Sequence, residues 1–154
     1  NNIMREVKNQ VEEKASDQFL SLISAATTYK GIKIDDDYNI SVPHVTGREA
    51  LGSLSSGERQ VCALSFMAAL NSVSGFKVPV IIDTPLGRID PGPRKKIAEK
   101  LPNYLKGTQV TLLVTEAEYT KEVKEALSDK VSKTYMINFQ EKGEGKIAEV
   151  VLCS

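Results

Sequence analysis

Two cysteines and one histidine in 154 residues leave little room for several kinds of chemistry. Cys62 and Cys153 are far apart and form no C-x-x-C pair, so neither a disulfide framework nor a dithiol centre is expected. Cys62 falls in an apolar stretch, where a reduced, packed thiol is the ordinary case, and nothing nearby supplies further metal ligands. His44 has no cysteine or second histidine beside it and reads as a loop residue, not a catalytic base. Net charge is also missing: Lys plus Arg number 20, and so do Asp plus Glu. No overall field then draws the chain to nucleic acid or to an anionic membrane, so any such contact must come from a local patch or from other parts. No apolar run approaches the ~20 residues of a membrane span. The N-terminal stretch lacks the continuous apolar core of a signal peptide, and the expected location is cytoplasmic.

What is present suits one globular domain with a real core, 41% hydrophobic and 26% charged. Ile3, Val7, Val11, Ala15, Phe19, Leu22, Ile23 and Ala26 recur at spacings of three and four, which predicts an amphipathic helix from Asn1 to about Ala26. It starts without an N-cap signal, as a helix cut inside a longer one would; an ordinary N-terminal helix is the alternative. Ile32–Ile34 and Tyr38–Val42 alternate like strands around an Asp35-Asp36-Asp37 turn. That triplet is no calcium loop, because Ile40 and Thr46 stand where such a loop needs Gly and Glu. Gly47 to Gly52 matches the first half of a phosphate loop, but Ser53 and Leu54 replace its Lys and Ser/Thr. No complete G-x-x-x-x-G-K-[ST] occurs anywhere in the chain.

The centre of the chain is Leu54-Ser55-Ser56-Gly57-Glu58-Arg59-Gln60, an apolar helix, a strand, and Ile81-Ile82-Asp83-Thr84-Pro85-Leu86-Gly87-Arg88-Ile89-Asp90. Ser55 with Glu58 three residues on is a capping box. Ser56 and Gly57 leave first-turn N–H groups open to an approaching phosphate at the positive end of the helix dipole. Val61, Leu64, Met67, Ala68 and Leu70 cover nearly every face, so the helix is expected to be buried, with Ser74-Gly75 as its stop. Val78–Ile82 reads as a central parallel strand ending at Asp83, where a carboxylate can hold Mg²⁺ through water. Asp90 is the expected N-cap of a helix to about Leu105. Its Arg94, Lys95, Lys96 and Lys100 read as a solvated face. Gln109–Thr115 is a further buried strand and Glu116–Leu127 a helix. Lys133–Phe139 and Lys146–Leu152 form a terminal hairpin turned at Gly143/Gly145.

These motifs resemble the C-terminal part of an ABC-type ATPase head. The likeness is to the SMC-like branch, which includes the double-strand-break repair ATPases, RecF and the DndD proteins of DNA phosphorothioation. LSSGERQ resembles the ABC signature, with Ser56 in place of the usual first glycine. IIDTPLGRID resembles Walker B running into the D-loop, and its DTPLGR wording is most similar to DndD. The resemblance implies an α/β fold, the C-terminal half of a P-loop head with a mostly parallel sheet flanked by helices and a terminal β-hairpin. Residues 1–28 would continue a coiled coil, and 29–154 would form the ATPase lobe. It further implies ATP and Mg²⁺ as cofactors. The signature residues Ser55, Ser56, Gly57 and Glu58 would close over nucleotide held by a second head, with Asp90 at the dimer interface and Asp83 beside the metal. The implied partners are a Walker A lobe, the second head, and DNA through the full assembly.

Two positions depart from the family pattern. The Glu that usually follows the Walker B Asp and orients water is Thr84 here, and a hydroxyl is a poor proton acceptor at neutral pH. The switch-loop His usually follows the next strand, where Glu116 stands. Glu116 or Glu118 is therefore a candidate for part of the missing carboxylate's work, against the plainer reading of both as first-turn helix acids. Thr84 and Glu116 are the catalytic candidates. Slow hydrolysis by a DNA repair or modification ATPase is the expectation. A nucleotide-gated clamp with almost no turnover, and an interaction domain with coincidental motifs, are the alternatives.

Overall fold

The apolar stripe of the first helix buries Val11, Ala15, Phe19 and Leu22 against the rest of the chain, and this interface organises the fold. The structure, a computed structural model, describes residues 2–142 and 145–153. Helix α1 (Asn2–Leu22) lies along α2 (Ser56–Ser74), and α3 (Pro91–Tyr104) packs on α1, α2 and α4 (Lys121–Leu127). Helix α1 ends four residues before the expected Ala26, and 24–28 form turns instead.

A small ribbon, β1 (Lys33–Ile34) antiparallel to β2 (Ile40–Ser41), sits beside α1. Glu12 holds it there, accepting from Lys33 Nζ and the Ile34 N–H, both at 2.7 Å. Ser16 Oγ donates to the Ile32 carbonyl at 2.6 Å and accepts from the Ile32 N–H at 2.9 Å. A Cβ at Gly31 would lie 2.7 Å from that hydroxyl, and its φ of +100° admits glycine most easily. Asp35 Oδ1 accepts from the Asp37 and Asn39 N–H groups, which makes the acidic triplet a self-bonded turn.

Strands β3 (Val80–Asp83) and β4 (Val110–Leu113) pair in parallel, with Val80 opposite Val110 and Asp83 opposite Leu113. Strands β5 (Thr134–Lys142) and β6 (Gly145–Cys153) form the terminal hairpin; Gly143 of its expected turn lies outside the described residues. The architecture is thus α/β, with helices over one face of a parallel pair. The expected burial of Val78–Ile82 and Gln109–Thr115 needs correcting. Both strands are shorter and alternate half-buried with exposed, because within this chain only the face bearing Val80, Ile82, Val110 and Leu112 meets the core. Ile81 on the other face is 71% exposed. No helix of the described residues is long and apolar enough to cross a membrane.

Candidate functional site

Helix α2 begins as its sequence demands. Ser55 is the N-cap; its hydroxyl accepts from the Glu58 N–H at 3.2 Å, and Glu58 Oε2 accepts from the Ser55 N–H at 2.9 Å. Tyr29 donates its hydroxyl to Glu58 Oε1 at 3.1 Å. Burial pushes the Glu58 carboxyl up, but these hydrogen bonds outweigh it and hold it below the usual range. The carboxylate of Glu58, expected among the nucleotide-binding groups, is therefore engaged within the chain. Helix geometry leaves the first-turn N–H groups of Ser56 and Gly57 with no carbonyl of the helix to bond, beside the exposed Ser55 and Ser56 side chains. At the far end Gly75 closes α2 in the left-handed region at φ +71°. Between them Val61, Cys62, Leu64, Ala68 and Ala69 are buried, whereas Leu70 is exposed. Burial pushes the Cys62 thiol up to about 11, in keeping with an inert core cysteine.

The loop after β3 comes directly against this helix start. A Cβ on Gly57 would lie 2.8 Å from the Arg88 carbonyl oxygen and 3.5 Å from Ile89 Cα, so glycine is what lets the two backbones meet. Gln60 extends the join, donating to the Thr84 and Pro85 carbonyls at 3.3 and 3.4 Å. Arg59 folds back onto the Leu54 carbonyl at 2.7 Å.

Asp83 ends β3 exposed, and its carboxylate makes no hydrogen bond or ion pair with another described residue. Thr84 follows at φ +47°, a strained conformation for a β-branched residue, while its N–H extends the ladder to the Leu113 carbonyl at 2.8 Å. Asp90 precedes α3 as its N-cap, but its side chain makes no capping bond; only its carbonyl starts the helix, accepting from the Arg94 N–H at 3.0 Å. The expected Asp90 cap is thus a backbone cap.

The β4–α4 loop differs from expectation. Helix α4 starts at Lys121 with Thr120 as N-cap, so Glu116 and Glu118 are not first-turn acids. Glu116 is exposed. Glu118 turns inward to 2% exposure and accepts from the Leu86 N–H, the Thr115 N–H and the Thr115 hydroxyl, each at 3.0 Å. A carboxylate with both oxygens so engaged is poorly placed to orient water. Arg94 also departs from the expected solvated face: its guanidinium donates to the Ile89 and Ala117 carbonyls. Gln60, Glu118 and Arg94 are the linking residues that sequence reasoning missed. Only Glu118 carried a signal, the T-x-x-E spacing from Thr115.

Among the described residues no group of three or more His, Cys, Asp or Glu comes together to hold a metal. One exposed carboxylate at a strand end does not suit an all-protein metal cage. It does suit Mg²⁺, which keeps several waters and needs one or two carboxylates alongside phosphate oxygens.

No family model matches the chain, and no curated protein matches it. Solved structures do. The SMC head domain from Thermotoga maritima matches with a TM-score of 0.58 and 20% identity, over 99% of this chain and 51% of that one. The Smc head domain with a coiled coil and joint from Pyrococcus yayanosii matches at 0.68 and 13% identity, over 99% and 28%. A chain from a study of ATP-driven dimerization and DNA-stimulated activation of SMC ATPases matches at 0.67 and 14% identity, over 99% and 89%. The chain therefore has the fold of part of an SMC head domain, and it spans about half or less of the Thermotoga and Pyrococcus yayanosii chains.

Proposed function

We propose that this chain is the C-terminal lobe of an SMC-like ATPase head, which binds and hydrolyses ATP together with a Walker A lobe that it does not contain. The observation that carries this reading is the close approach of the Gly57 backbone to the Arg88 carbonyl, which brings the signature-like turn and the loop after β3 together. In a head-to-head dimer, Ser55, Ser56 and the Gly57 N–H would close over the γ-phosphate of the opposite head, with Glu58 bracing the turn. Asp83 would hold Mg²⁺ of its own head through water, and Asp90 would lie at the interface. When bound, the Mg²⁺-nucleotide supplies the phosphoryl group and neutralises charge developing in its transfer.

Two bare regions support the missing lobe and the arm. The open face of β3 and β4 carries Ile81 and Leu113, the kind of surface a second layer covers in a two-sided parallel sheet. On α1 the apolar stripe continues past the packed Val11 to Val7, Met4 and Ile3, all exposed. This fits a coiled coil that reaches the head along the first turns of α1, short of the expected 1–28, since Val11 to Leu22 pack in the core and 24–28 form turns. The DTPLGR wording favours a DndD-type or repair role, with DNA engaged by the whole assembly.

A second reading, the nucleotide-gated clamp, has its own support. Thr84 stands where the water-orienting Glu belongs, and Glu118 is occupied elsewhere. Both readings are tested on the complete head. Light scattering with ATP and Mg²⁺ should show a dimer that Ser55→Arg abolishes, and a monomer under every condition would refute both. Phosphate release in the presence of DNA then separates a slow ATPase from a clamp.

A further inference from the structure

The loops that follow β3 and β4, residues 84–90 and 114–120, are tied together by two side chains that belong to neither the signature nor Walker B. Glu118 gathers donors from both loops: Oε1 takes the Leu86 N–H, and Oε2 takes the Thr115 N–H and hydroxyl, each at 3.0 Å. Gly87 lets the carboxylate in, since a Cβ there would lie 3.3 Å from Oε1. Arg94 gathers acceptors from the same two loops. Its Nε and Nη2 donate to the Ile89 carbonyl at 3.2 and 2.9 Å, and its Nη1 donates to the Ala117 carbonyl at 2.7 Å. One loop is the D-loop; the other holds the position of the usual switch histidine.

We infer that Glu118 and Arg94 are positioning residues that hold the D-loop and the β4–α4 loop as one unit. The linkage is independent of the composite-site reading; its effect on turnover rests on that reading. The chemistry at each pin is specific. Three donors require both Glu118 oxygens to accept, and a glutamine offers one oxygen and an NH₂, so one loop must face a donor with a donor. A buried N–H left unpaired is worse than a bond never made. At Arg94 the planar fork serves two carbonyls at once, which a lysine ammonium on its flexible stem does not reproduce.

The test combines amide exchange with kinetics on the full-length protein and its Walker A lobe. Glu118→Gln should speed exchange about tenfold at whichever of the Leu86 and Thr115 amides is left facing the NH₂, and also at the other, because the linked loops open together, while the α2 amides stay unchanged. With ATP and Mg²⁺ the same variant should lower kcat at unaltered KM for ATP, and Arg94→Lys should do so to a smaller extent. Val123→Ala, a cavity in the buried face of α4, should lower stability without lowering kcat. Faster exchange in only one loop, or in neither, would overturn the linkage. A Val123→Ala head that loses kcat as Glu118→Gln does would overturn the positioning role. Were Glu118→Gln not to fold, Arg94→Lys carries the same exchange and kinetic measurements. A wild-type head without ATPase activity would count against the hydrolysing reading alone, and exchange at Leu86 and Thr115 would still decide the linkage.

Discussion

The longer strands of this chain are more apolar than its first and third helices, yet it is the helices that bury their apolar residues. Phe19, Leu22, Ala68, Ala69 and Ile97 are almost completely enclosed where α1, α2 and α3 meet. In the hairpin, Tyr135 opposite Leu152, Ile137 opposite Val150, and Phe139 opposite Ala148 form one continuous apolar face, and all six residues are exposed. The open side of β3 and β4 is bare in the same way. Residue type is therefore a statement about what a side chain requires, and burial is a statement about which neighbours are present. The helical part finds its neighbours within the chain; the sheet part does not.

The largest expected effect tests that division directly. Phe19 is fully buried, its ring 6.0 Å from that of Tyr29, whereas Phe139 is 76% exposed. Phe19→Ala should destabilise this chain by about 3–5 kcal/mol, and Phe139→Ala should stay within about 0.5 kcal/mol. Urea unfolding of the two variants measures both, and equal losses would erase the distinction. The next effect lies where the helical part meets the loop after β3. Gly57→Ala puts a methyl 2.8 Å from the Arg88 carbonyl, a backbone atom with no side-chain freedom. The gain in helix propensity, about 1 kcal/mol, should be outweighed by the forced shift, leaving a net loss of about 1–2 kcal/mol. ATP-dependent dimerisation of the complete head should fall with it; an unaltered unfolding midpoint would show that the contact yields freely.

How legible each part was follows from the same contrast. Helix α2 was readable at both ends because its signals are local: Ser55 and Glu58 lie within one turn of each other, and Gly75 is where a left-handed residue is needed. The strands were located nearly correctly, but their burial was overestimated, since no pattern along β3 says whether Ile81 has anything to touch. Glu116–Leu127 was read as one helix because its composition is helical throughout. In the folded chain Thr115 and Glu118 close on each other, Glu118 turns to the Leu86 N–H 32 residues away, and the helix waits until Lys121. Arg94 looked like one of several surface cations for the same reason: its Ala117 partner is 23 residues distant, and nothing local announces it. The stretches that resemble a signature, a Walker B and a D-loop stand out along the sequence, whereas the side chains that join them do not.

A smaller effect comes from pH. The hydrogen bonds from Ser55 and Tyr29 lower the Glu58 carboxyl against the upward push of burial. A group lowered on folding contributes stability fully above its unfolded value of about 4.3 and loses that contribution as pH falls through the lower folded value. Stability should thus drop in this acid window, and Glu58→Gln should flatten the drop while removing part of a cap whose worth is about 1 kcal/mol. Urea midpoints across pH 3 to about 6 compare the two proteins. Glu12, which ties the ribbon to α1, is lowered too: burial raises it, but hydrogen bonds from Lys33 and the Ile34 N–H and the charges of Lys33 and Lys8 outweigh that. The difference between the two curves, and not the wild-type curve alone, isolates Glu58; parallel curves would mean the box is already broken in acid.

The smallest effect sits at the edge of the bare sheet. Thr84 holds φ at +47° while its N–H bonds the Leu113 carbonyl and its own carbonyl accepts from Gln60. Those bonds fix a left-handed backbone that costs a β-branched residue about 1–2 kcal/mol. Thr84→Gly removes that strain but adds freedom to the unfolded chain worth about 0.5–1 kcal/mol. The two nearly offset, so a net stabilisation of about 0.5 kcal/mol is expected, visible as a slightly higher urea midpoint. The hydroxyl makes no hydrogen bond with another described residue, so its loss should not reverse the sign. A glycine variant less stable than wild type would mean that the threonine side chain, and not only the backbone, holds this turn. In the complete head the same variant asks the functional question. If phosphate release persists unchanged in Thr84→Gly, the hydroxyl orients no water, and what turnover exists belongs to groups outside this loop.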